Sequence, residues 1–189
     1  MDILHAAQEA RTQENLICIH LNYQLGEFLA QIVSGDELVA FLRKAKEIED
    51  LFETTVQWEG YIDVKKDEFR EILFKLISDS DKHANWVDKL ISMVKTTQGA
   101  VASPIAARTF NFKNKNEMEI MMDIGKYEKL IHDLYKNIND GLDEAVLRNI
   151  LKDGNQSSEF ISTLRQLIAE EQGHINLVSR FVGKIERIR

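Results

Sequence analysis

Leu167-Ile168-Ala169-Glu170-Glu171-Gln172-Gly173-His174-Ile175-Asn176 sits inside a run whose apolar residues recur every three or four positions, from Phe160 and Leu164 through Val178, Phe181, Val182 and Ile185. That period marks one buried face of a helix. Glu171 and His174 fall on the same face, three residues apart, where the period calls for apolar side chains. Ionisable groups in a core stripe are costly to bury without partners, so this stretch decides both the fold and where its chemistry lies.

The same three-and-four spacing runs through almost the whole chain, and no stretch alternates convincingly. The 189 residues include a single proline, Pro104, and only nine glycines, a composition that permits long helices nearly end to end. The fold is expected to be all-α. Helices are predicted near residues 4–33, 36–59, 67–95, 116–138 and 157–187, with a short extra one within Asp143–Lys152. Four long helices joined by a short link, a link of about 20 residues and a further link describe a four-helix bundle with one crossover connection. The expected organisation is one domain over 1–189, with an N-terminal helix over 1–35 and the bundle over 36–189.

Each predicted helix of the bundle carries polar residues midway along its stripe. The first has Glu49 between Ile48 and Phe52; the second has Ser80 and His83 between Ile77 and Val87. The third has Glu128 between Ile124 and Ile131, and the fourth has Glu171 and His174. Mid-length positions of antiparallel helices meet at one level, and a metal ion removes the cost of burying carboxylates there. Carboxylate with imidazole suits Fe or Mn, and also Zn.

The chain also repeats itself. Leu76-Ile77-Ser78-Asp79-Ser80-Asp81-Lys82-His83-Ala84-Asn85 aligns with Leu167 to Asn176 at an offset of 91, pairing both histidines and both asparagines. The preceding helices align at an offset of 79, pairing Glu49 with Glu128 and Leu51 with Leu130. The extra 12 residues fall in the last link, where the short helix is expected.

Composition limits the remaining classes. The net charge is −7 and the basic residues are scattered among acids, which argues against nucleic acid as a partner. A lone Cys18, read as a packed thiol, forms no internal disulfide or CxxC site and fits a reducing compartment. With no basic, then apolar, leader and no apolar run long enough to span a bilayer, a cytoplasmic protein without a membrane partner is expected.

These residues resemble the ferritin-like superfamily of diiron-carboxylate bundles, in particular its rubrerythrin-like branch, whose pattern is a Glu on each of two helices and Glu-x-x-His on the other two. The resemblance spans about residues 36–187 and implies Glu49, His83, Glu128, Glu171 and His174 as metal ligands. It departs at Ser80, where the family pattern calls for a glutamate that bridges two metals. Asp79, four residues before His83, is a substitute within reach of the same face. The implied cofactor is iron, two ions if the site is intact, with Mn or Zn as alternatives. The implied role is peroxide or dioxygen reduction, or iron handling. One cysteine excludes a rubredoxin module, so electrons would come from a separate protein, and the extra N-terminal helix suits a homodimer. The alternative is a binding or scaffold module whose metal site is structural or lost.

Neighbouring residues have plainer readings. Glu53 and His132 stand one turn beyond Glu49 and Glu128, either as further ligands or on a solvated edge. Glu170 reads as surface, and His5 and His20 as packed or surface residues. Met118, Met121 and Met122 read as core fillers, and Trp58 and Trp86 as packing residues.

Overall fold

The computed structural model describes residues 31–55, 65–97, 112 and 114–186, side chains 52–55 and 184–186 excepted. The chain divides into Met1–Gln31 and Ile32–Arg189, and every described helix belongs to the second unit. Those helices are α1 (Gly35–Thr55), α2 (Asp67–Met93), α3 (Glu117–Gly141), α4 (Glu144–Ile150) and α5 (Ser157–Glu186), with a 3-10 turn at Gly154–Gln156. The fold is all-α among the described residues, as the periodicity predicts. The expected N-terminal helix lies outside them apart from its last residues, and 31–34 are not helical. No described helix is long and apolar enough to cross a membrane.

Local chemistry sets the helix starts. Asn116 forms a capping box with Glu119: its side chain accepts from the backbone N–H of Met118 and Glu119, and the Glu119 carboxylate accepts from the Asn116 N–H. Such a cap contributes about 1 kcal/mol. Asp143 caps α4 through the N–H groups of Ala145 and Val146, and Ser34 accepts from Glu37 at the start of α1. Gly35 is there for space: a Cβ would stand 2.0 Å from the carbonyl oxygen of Lys95, where the end of α2 crosses the start of α1.

Contacts between the helices fix their directions. Thr97 meets Asp36, Lys46 meets Asp88 and Glu49 meets His83, so α1 and α2 are antiparallel. Lys89 with Glu159, Asp79 with His174 and Phe69 with Phe181 set α5 antiparallel to α2. Glu128 with His174 and Gly125 with Val178 do the same for α3 and α5. It follows that α2 and α3 run parallel, which needs a connection the length of a helix. Residues 94–116 supply it, and most of them lie outside the described set.

One contact was not legible in the sequence. Val94 and Leu151 form an antiparallel bridge, with Lys95 N–H donating to Ile150 and Lys152 N–H to Met93, both at 2.8 Å. It ties the end of α2 to the link before α5. Two residues of pairing carry no alternation that periodicity can detect.

The core has three levels. Phe69, Leu73, Met121, Ile124 and Phe181 pack one end, and Leu42, Leu90, Leu134, Phe160 and Leu164 are buried toward the other. Between them lies a layer of buried polar side chains: Glu49, Ser80, His83, Glu128, Glu171 and His174. Of the methionines read as core, Met121 is fully buried, whereas Met122 is 50% exposed because the next position on a helix turns away from the stripe.

Candidate metal centre

All five sequence-predicted ligands converge in the polar layer. His83 from α2 and His174 from α5 stack with ring centroids 5.5 Å apart. Each turns Nδ1 inward. His83 Nδ1 lies 2.6 Å from Glu171 Oε1 and 3.5 Å from Glu49 Oε1; His174 Nδ1 lies 3.4 Å from Glu171 Oε2 and 3.1 Å from Glu128 Oε2. Glu171, 1% exposed, thus offers one oxygen to each imidazole. Ligand atoms of His83, Glu171 and His174 all lie within 4.8 Å of one another, and Glu49 and Glu128 flank them.

The outward nitrogens are held as symmetrically. His83 Nε2 meets Glu170 Oε2 at 3.0 Å, and His174 Nε2 meets Asp79 Oδ2 at 3.0 Å. Each acceptor sits four residues before the histidine of its own helix and reaches the histidine of the other helix. A carboxylate on the far nitrogen fixes the tautomer and aims the near nitrogen. Lys82 pairs with both Asp79 and Glu170, and lies 5.0 Å over the Trp86 ring; Lys75 pairs with Asp79 at 2.6 Å.

Two expectations are corrected by this geometry. Glu170 is no mere surface residue but the partner of His83, and Asp79 does not replace the missing glutamate at Ser80, since Lys75, Lys82 and His174 hold it on the outward side. The repeat contained the signal, because its alignment pairs Asp79 with Glu170. Tyr135, read only as a stripe member, is fully buried and donates its O–H to Glu49 Oε1 at 2.9 Å. Ser80 is buried in the layer with no carboxylate to offer. His132 pairs with its neighbour Asp133. The side chain of Glu53, and His5, Cys18, His20 and Trp58 entirely, lie outside the described residues.

Burial and pairing compete across the centre. Burial pushes Glu128 up to about 8, and raises Glu49, even though each faces an imidazole. Burial acts on Glu171 too, but pairing with His174, His83 and Glu128 outweighs it and pulls that carboxyl down to about 2. Burial favours neutral imidazoles, yet the facing carboxylates win, raising His83 to about 10 and His174 to about 11. Glu171 is therefore the inner carboxylate in which pairing outweighs burial, and it faces both imidazoles.

The residues fit a metal by an independent sign. His83 Nδ1 and both oxygens of Glu171 are buried without a hydrogen bond of acceptable geometry, although His83 Nδ1 and Glu171 Oε1 approach to 2.6 Å. Close, buried and unsatisfied ligand atoms are what a cation beside them would satisfy. Comparison with protein families, curated proteins and solved structures finds no match. The chemistry of the centre therefore rests on its own residues.

Proposed function

We propose that α1, α2, α3 and α5 form a ferritin-like, rubrerythrin-like bundle that binds iron, or Mn or Zn in its place, between Glu49, His83, Glu128, Glu171 and His174. The observation that carries it is the set of buried, unsatisfied ligand atoms on His83 and Glu171 beside His174. Bound iron would supply the redox chemistry for reducing peroxide or dioxygen, or for handling iron itself, with electrons from a separate protein.

The protein's own groups have separable tasks. Glu170 and Asp79 hold the imidazole planes, so the Nδ1 atoms stay aimed at the centre. Tyr135 restrains one oxygen of Glu49, while no such hydroxyl restrains Glu128 among the described contacts. The apolar levels on either side close the layer along the length of the bundle. In the metal-free centre the imidazoles carry protons that metal binding must displace, because a ligating nitrogen needs its lone pair.

The test is metal analysis of protein purified without oxygen, followed by addition of peroxide. Bound iron with a peroxide-dependent colour change supports the proposal, and no bound Fe or Mn, or no spectral response, defeats the redox part. A second reading, a scaffold with a lost or structural metal, is favoured by Ser80 standing where a bridging carboxylate belongs. In a Glu171→Ala, His174→Ala variant, a melting temperature that depends on added iron as in the original protein favours the scaffold.

A further inference from the structure

The repeat pairs Lys82 with Gly173, so the two halves differ at this position beside the histidines. Lys82 covers the outer carboxylates with its ammonium. Gly173, adjacent to His174 in the middle of α5, is exposed, and a Cβ there would meet nothing within 4 Å. Glycine inside a helix costs about 1 kcal/mol relative to alanine. No close approach accounts for it, so the packing of α5 does not require it. What the missing side chain does leave is room: a cleft of about 560 Å³ opens between α2 and α5 beside Gly173, with Asp79 and His174 among its lining residues.

The charge of this cleft runs against that of the protein. Lys75, Lys82 and Arg180 line it against only Asp79 and Glu170, in a chain of net charge −7. Lys75 and Lys82 are engaged by those acids, whereas Arg180 has no ion pair or hydrogen bond among the described residues. A concave site with a surplus cation, next to a buried centre, concentrates anions from solution.

We propose that the cleft admits and holds a small, singly charged inorganic anion beside the metal centre, with Arg180 supplying the attraction and Gly173 the room. The proposal deepens the metal-centre reading, since the cleft is then the way by which a small anionic ligand reaches the His174 side. It also has a part independent of metal, namely binding of the anion to the metal-free protein.

Azide is a suitable probe, because its antisymmetric stretch reports the charge around it. In the metal-free full chain, azide should give a saturable infrared shift and move the amide resonances of Gly173 and Asn176. Arg180→Glu should weaken that binding about tenfold, the low end of electrostatic focusing. No saturable binding, or equal binding by Arg180→Glu, overturns the proposal. In the cobalt(II)-loaded protein, Gly173→Leu should slow the azide-induced change of the visible bands, with cobalt content unchanged, while Ser179→Leu, exposed on α5 and turned away from the cleft, should not. Equal rates in the two leucine variants also overturn it. A chain that takes up no cobalt defeats the metal-centre reading alone, and the azide titration of metal-free protein then decides this one.

Discussion

The α1–α2 half and the α3–α5 half carry the same device with one part exchanged. Glu49 answers Glu128, His83 answers His174, and Asp79 answers Glu170, each pair in equivalent contacts. Ser80 and Glu171 do not answer each other. The consequence is that one carboxylate, Glu171, faces both imidazoles, and its two oxygens divide between them. The centre is thus symmetric in its histidines and their orienting acids but depends on one half for its shared charge.

Removing that charge should have the largest effect. Glu171→Ala leaves two buried imidazoles with less compensation, and breaking a buried pair costs about 3–5 kcal/mol. Urea denaturation of the metal-free variant should show a loss of that size, and the variant should retain no metal after dialysis. Restoring the symmetry is the converse: Ser80→Glu should raise the metal bound per chain. The same change should lower metal-free stability by about 1–3 kcal/mol, the cost of another buried polar group without a full set of partners. A metal content unchanged by Ser80→Glu would show that the serine is not what limits the site.

The orienting acids should matter less than Glu171 and should match each other. Asp79→Asn and Glu170→Gln are each expected to weaken metal binding about ten- to hundredfold, by competition against a chelator. A loss in only one of them would break the equivalence of the halves on the outward side.

Acidity supplies a test that separates the empty from the filled centre. His83 and His174 hold their protons to about pH 10 and 11 in the folded metal-free protein, against about 6.5 for an ordinary imidazole. Their contribution to stability is therefore complete below about pH 6.5 and is lost as pH rises toward those values. Glu128, raised to about 8, acts in the same direction, with stability declining from its ordinary range toward pH 8. Metal needs the unprotonated imidazole, so its affinity rises with pH. The increase in melting temperature on adding Mn(II) or Zn(II) should be larger at pH 8.5 than at pH 6.5. The smallest effect belongs to the surface difference: Gly173→Ala should stabilise the chain by up to about 1 kcal/mol, read by thermal denaturation.

The five inner polar residues were legible because each interrupts a periodic stripe, and a stripe is written in consecutive residues. The outer partners were not. Glu170 looks like any exposed helical acid until α2 lies beside α5, and Tyr135 passes for one more apolar position until Glu49 arrives from α1.

Periodicity alone shows that the described part of the chain is helical, where its helices run to within a few residues, and which polar groups lie at mid-length on their buried faces. Those properties follow from backbone geometry, which repeats every 3.6 residues whatever the neighbours are. It takes the packed helices to show that Nδ1 rather than Nε2 of each histidine faces inward, that Glu171 is shared, that Asp79 and Glu170 cross over to the opposite histidine, and that Gly173 borders an open cleft. Those depend on the axial register between helices far apart in the chain, and register is set by the packing of whole faces rather than by any local run of residues.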